Sequence, residues 1–164
     1  MTRWYPLEPV DAGFFSSAPR VFRCQKLFAA TPERVWEALI SDGSAAAWGR
    51  MITNVSWTSA PPRGIGATRE SAALGARARS RYFRWDEHRG YSMFVYESTA
   101  PMFRRYAEDF VLQRSDGGTL FTFTVAIEPK PAFSLPFRVI APALGMYLRR
   151  IVTEGQRYFA TGQR

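Results

Sequence analysis

Residues 115–127, SDGGTLFTFTVAI, leave the chain few choices. Ser-Asp-Gly-Gly is a strong hairpin signal, because Asp and Gly accept the backbone angles of a tight turn. The residues after it alternate without a break. Phe121, Phe123, Val125 and Ile127 share one face, and Thr122, Thr124 and Ala126 share the other. That period of two predicts an antiparallel strand buried on one side, whose apolar face needs a cover. The last 25 residues or so offer one, as a long amphipathic helix whose interior spacing follows the helical repeat. Leu144, Tyr147, Leu148, Ile151, Gly155, Tyr158 and Phe159 fall on one stripe, with Met146, Arg149, Arg150 and Arg157 off it. Pro142 is expected in the first turn, where a missing N–H is tolerated. Each large apolar side chain of the stripe contributes about 1.5–3 kcal/mol when buried, so four or five hold the helix on a sheet. A curved antiparallel sheet wrapped on a single long helix, an α+β fold, is the simplest arrangement that satisfies both elements.

The rest of the chain supplies the other strands. Residues 1–20, with Pro6, Pro9 and Pro19, read as an arm lying on a single domain of residues 21–164. VFRCQKLFAA at 21–30 reads as a first strand. Thr31-Pro32-Glu33 then starts a helix over 32–40. Thr31 caps, Pro32 occupies the first helical position, and Glu33 meets the positive end of the dipole. Arg34 stands where a full capping box needs Glu or Gln. Val35, Trp36, Leu39 and Ile40 form the apolar face, and a shorter helix is expected around 44–48. Strands follow at 51–57, 66–74, 76–85, 91–98 and 104–113, separated by APPRG at 60–64 and DEHRG at 86–90. Three prolines at 129–136 predict a linker before the last helix. The chain contains no internal repeat.

Composition narrows the function classes. At 164 residues, 46% apolar and 15% aromatic, the chain is a globular domain with a real core. No apolar run approaches the roughly 18 residues that span a bilayer. The N-terminal stretch has no apolar signal-peptide region, which reads as a cytoplasmic protein. The net charge of +8 is almost all arginine, with Lys26 and Lys130 the only lysines. The arginines are spread along the chain without a block. This reads as a solvated surface, with attraction to an acidic partner or anionic ligand as the alternative. A nucleic-acid surface would want exposed aromatics between the arginines of RARSRYFR, and none is expected there. Cys24 is the only cysteine and His88 the only histidine. An internal disulfide is therefore excluded, and no Cys/His or Ser/His/Asp arrangement, metal site or cofactor is expected.

Several stretches share an order with one family. ATPERVWEAL at 30–39 with Trp48, GIGATRE at 64–70, FRWDEHRGYSM at 83–93, GGTLFTFTVAIEP at 117–129 and the closing helix together resemble the SRPBCC superfamily (START, polyketide cyclase and birch-pollen-allergen-like proteins). The resemblance implies a helix-grip fold. In that fold a sheet of about six to seven strands closes around the C-terminal helix, an apolar cavity lies between them, and two short helices after the first strand plug one end. It also implies that Trp36 packs in the core and Trp48 lies near the cavity mouth. Relatives include lipid carriers, hormone receptors, aromatase/cyclases, hydrolases and co-chaperones, so the site must decide the function.

Strand faces give the candidate site. In 76–85, Arg77, Arg79 and Arg81 are expected outside, with Ala78, Ser80 and Tyr82 inside, where the small residues leave room. Tyr106, Glu108, Phe110 and Leu112 share a face in 104–113, so Glu108 is expected to point at the cavity, with Arg69 or Glu70 on a neighbouring strand. A carboxylate near an arginine can hydrogen-bond a polar ligand or serve as an acid. Candidate catalytic residues are Glu108, Arg69 and Tyr106, joined by Tyr82. Candidate ligand-lining residues are Trp48, Ser80, Tyr82, Phe110, Leu144, Leu148 and Ile151. Two readings stay open: carriage of a small hydrophobic or amphipathic molecule, and a polyketide aromatase/cyclase, for which an acidic acyl carrier protein is a candidate partner. A protein-interaction module, supported only by the basic surface, is a third.

Overall fold

In a computed structural model that describes residues 1–42 and 52–161, the chain runs through strand β1 (Tyr5–Pro6), helix α1 (Phe14–Ser17), β2 (Arg20–Phe28), α2 (Pro32–Ile40), β3 (Ile52–Trp57), β4 (Thr68–Ala73), β5 (Ala76–Asp86), β6 (Gly90–Ser98), β7 (Phe103–Ser115), β8 (Gly118–Pro129) and α3 (Ser134–Thr161). The hairpin read from Ser-Asp-Gly-Gly forms, with Ser115 paired to Gly118 across Asp116-Gly117. From it the sheet grows in the order β2-β8-β7-β6-β5-β4-β3, antiparallel at every step. It curls around α3 as a helix grip, the architecture expected.

Helix α2 starts as its sequence requires. Thr31 is extended, and its hydroxyl accepts a hydrogen bond from the Arg34 backbone N–H at 3.4 Å. The helix buries Val35, Trp36 and Leu39. Trp36 is core packing, edge-on to Trp85 with ring centres 5.0 Å apart. The shorter helix expected around 44–48, and Trp48 with it, lie outside the described residues.

Helix α3 departs from expectation in two ways. The linker is shorter than 129–136: one tight turn at Pro131–Phe133 leads into a helix that begins at Ser134. Pro136 therefore occupies the first turn, and Pro142 lies inside the helix at the expense of one backbone hydrogen bond. The buried face is centred on Phe137, Ala141, Leu148, Val152, Gly155 and Phe159. Tyr158, expected on that face, is 44% exposed. Phe159 stacks on Phe28, which stacks on Phe121, and this joins the end of α3 to β2 and β8.

The convex face is covered more than the alternation of β8 implies. Where β6 and β7 diverge, β1 is inserted: it pairs with β6 at Ser98 and Glu97, and the Glu8 N–H donates to the Arg104 carbonyl at 3.0 Å. Phe14 then sits over Ala107 and Ala126, which are fully buried. Arginines occupy the remaining outer surface in ion pairs. Arg77 and Arg79 hold Glu70, Arg79 also holds Glu97, and Arg84 holds Asp109. No described helix is long and apolar enough to cross a membrane.

Candidate functional site

Between the concave face and α3 lies a cavity of two lobes. The inner lobe, ≈ 170 Å³, is lined mainly by apolar side chains such as Leu39, Met93, Phe110, Phe121, Phe123 and Ile151, with Arg69 among them. The outer lobe, ≈ 580 Å³, is lined by Ala78, Val95, Met102, Phe103, Phe137 and Leu144, among others. Ser71, Ala73, Ser80, Tyr106, Glu108, Tyr147 and Leu148 line both and form the waist between them.

The residues singled out from the sequence fall into three groups. Ser80, Tyr106, Glu108 and Leu148 stand at the waist, with Arg69, Phe110 and Ile151 in the inner lobe and Leu144 in the outer. Tyr82 stands one layer back, 1% exposed, and meets the site through Arg69 instead of through the cavity wall. Trp48 lies outside the described residues. The choice between Arg69 and Glu70 is resolved: Arg69 turns inward and is 6% exposed, while Glu70 turns outward to its arginines. Tyr147, Ser71 and Tyr91 were not singled out. Tyr147 had one signal, a hydroxyl on the apolar helix stripe, which Tyr158 shared. Cys24 is half-buried on β2 beside Arg149, and His88 is half-buried at the β5–β6 turn with its ring edge-on to Trp36; neither lines the cavity.

Arg69 is held firmly. Its Nη1 donates to the Leu39 carbonyl at 3.0 Å and to the Tyr82 hydroxyl at 3.2 Å, and Nη2 reaches the Ser41 carbonyl at 3.5 Å. Its guanidinium lies over the Trp57 ring, and Trp57 Nε1 donates to the Ile40 carbonyl at 2.9 Å. The last carbonyls of α2, which have no partner inside the helix, are thus collected by side chains from β3 and β4, with a positive charge at the negative end of the helix dipole.

Glu108 is surrounded by protein, and the surface it retains faces the cavity. Burial pushes its carboxyl up to about 7, against the hydrogen bond from the Tyr106 hydroxyl at 3.1 Å and the charge of Arg69, which both pull it down. The same desolvation raises the phenols of Tyr82 and Tyr147, and those of Tyr91 and Tyr106 further. The site therefore offers one carboxyl able to donate or accept a proton near neutrality, ringed by phenols that stay protonated.

This arrangement sets a pH dependence. The folded protein holds the Glu108 proton to higher pH than the unfolded chain does, where the ordinary value is 4.5. Stability from this group is thus complete below that value, falls as pH rises through about 7, and is level above it. The loss amounts to about 3 kcal/mol. Glu108→Gln keeps the shape and removes the charge. Its melting temperature is expected to exceed that of the parent by roughly 5–10 °C at pH 8, while the two converge at pH 4. Thermal melts across this range check it, and a pH-independent difference would contradict the assignment.

Residues 21–160 match a family model described as polyketide cyclase / dehydrase and lipid transport. The chain belongs to this family. Uncharacterised proteins of Mycobacterium tuberculosis and Mycobacterium bovis are 31% identical to it over 155 residues, covering 94% of this chain and 93% of theirs. Among solved structures, a START superfamily protein from Mycobacterium smegmatis superposes with a TM-score of 0.70 at 12% identity, covering 85% of this chain and 97% of that one. Ara h 8.0201 superposes with a TM-score of 0.64 at 14% identity, covering 87% and 99%. At those identities the likeness is one of fold. The family match, together with this fold, agrees with the SRPBCC resemblance that the motifs carried, and fits a hydrophobic-ligand-binding protein.

Proposed function

We propose that the protein binds and carries a small amphipathic molecule, such as a lipid, polyketide or isoprenoid, in the two-lobed cavity. The observation that carries this reading is the interior itself: two adjoining volumes, ≈ 170 and ≈ 580 Å³, that share part of their lining and are walled by apolar and aromatic side chains with a few polar groups gathered in one place. Concave, mostly apolar sites with few, placed polar groups are what small-molecule recognition uses. Native mass spectrometry of protein purified without detergent should show a co-purified lipophilic species or uptake of added ones. Ser80→Phe tests the location. Ser80 is 4% exposed and stands at the waist, so a phenyl ring there enters existing space. Uptake should be abolished at a cost of at most about 1–3 kcal/mol. A larger loss of stability, with no binding to lose, would mean that the interior is filled in solution.

A second reading is favoured by one observation, the Glu108 carboxyl poised at about 7 and hydrogen-bonded to Tyr106. A carboxyl near the operating pH can move a proton in a dehydration or cyclisation of a bound polyketide, with orientation by the cavity supplying most of the effect. An acidic acyl carrier protein would then deliver the chain to the basic surface. Adding the protein to a minimal polyketide synthase tests this reading: a changed product profile, lost in Glu108→Gln, supports it, and an unchanged profile rejects it.

A further inference from the structure

The polar groups of the cavity are concentrated where its two lobes meet. Ser71, Ser80, Tyr106, Glu108 and Tyr147 all stand at this waist. Elsewhere the described lining is apolar except for Arg69 and Tyr91 in the inner lobe and Arg77 and Ser98 in the outer. Those exceptions have partners within the protein. Arg69 donates to Leu39 and Tyr82, Tyr91 is hydrogen-bonded in the same Arg69–Tyr82 cluster, and Ser98 donates to the Arg77 carbonyl. At the waist the situation differs. The Tyr147 hydroxyl is buried and has no hydrogen-bond partner among the described residues. An orphaned buried hydroxyl carries a desolvation cost that a bound partner removes.

We infer that the cavity takes a ligand whose neutral hydrogen-bonding group, a ketone or hydroxyl, lies within its length and meets Tyr147 and Glu108 at the waist, with a ring-sized apolar part in the inner lobe and a longer apolar part in the outer. This rests on the binding reading above and names its substrate class.

Two further arguments fix the details. An apolar cavity of about 150 Å³ lined by Leu, Ile and Phe is known to hold benzene, and the inner lobe, ≈ 170 Å³, has walls of Phe110, Phe121, Phe123 and Ile151. One ring fits there, while a long chain needs the outer lobe. A ligand carboxylate at the waist would face the buried Glu108 carboxyl, and two carboxyl groups sharing a low-dielectric site cannot both ionise without a large cost. A ketone accepts from the Tyr147 hydroxyl. A hydroxyl can also donate to Glu108.

Three probes with the same phenyl group and ten-carbon chain separate the possibilities: 1-phenyl-2-decanone, decylbenzene and 2-phenyldecanoic acid, whose carboxylate lies beside the ring as the ketone does. They are offered to the protein together, and native mass spectrometry reads the ratio bound. The ketone is expected to be favoured about tenfold over the hydrocarbon and over the acid. Tyr147→Phe, with melting checked to confirm folding, should bring ketone binding down to the hydrocarbon's level and leave the hydrocarbon unaffected. Equal uptake of all three, preference for the acid, or a ketone preference that survives Tyr147→Phe overturns the inference while the binding reading stands. If the folded protein takes up none of the three, both fall.

Discussion

Gly118→Ala is expected to lower stability by about 3–5 kcal/mol, a drop in melting temperature of roughly 10–15 °C for a chain of this size. Gly118 begins β8 with φ +145°, a conformation that side chains rarely adopt. The larger part of the effect is a collision: an added Cβ would lie 2.0 Å from the Phe28 carbonyl oxygen and 3.0 Å from its carbon. Both are backbone atoms, so relief requires the end of β2 to move. Phe28 is fully buried and stacked between Phe121 and Phe159, so moving it opens the core at the point where β2, β8 and α3 meet. Gly75→Ala is the control. Gly75 also has positive φ, +76°, but an added Cβ there meets nothing within 4 Å. It should cost only about 1–2 kcal/mol, from backbone strain alone. Thermal melts of both variants check the comparison, and equal losses would show that the approach to Phe28 is looser than described.

Leu148→Asp is expected to abolish cooperative folding, with a loss of about 3–5 kcal/mol. Leu148 is 3% exposed in the middle of α3 and faces the waist, where the lining already holds Glu108. An aspartate there removes an apolar contact and puts a second carboxyl beside a buried one. The matched change Met146→Asp, at a position 66% exposed on the same helix, should stay within about 0.5 kcal/mol. Circular dichroism during thermal denaturation separates them. A soluble Leu148→Asp protein with an unchanged melting temperature would mean that α3 presents a different face to the sheet.

What the sequence determined by itself are the features set by neighbours a few residues apart. The Asp-Gly turn, the alternation from Phe121 to Ile127, and the Thr-Pro-Glu start of α2 all appear where their local chemistry puts them. Alternation also put Arg69 and Glu70 on opposite faces, and Ser80 opposite its flanking arginines. Which of Arg69 and Glu70 turned inward was beyond it, because that depends on register. Glu70 lies opposite Arg79 and Arg69 opposite Ser80, and the sheet's curl makes the second pair concave. The same limit applies to α3. An apolar stripe about 100° wide admits either Tyr158 or Val152 at its margin. The sheet chose Val152, 1% exposed, and tertiary packing carried Pro142 inside a helix that local rules would have begun later. Burial of Ala126 needed Phe14, more than a hundred residues away. The orphaned Tyr147 hydroxyl and the raised Glu108 carboxyl likewise exist only once β4, β5, β7 and α3 enclose a common space. Desolvation depends on everything that surrounds a group in three dimensions, so a list of its sequence neighbours cannot supply it.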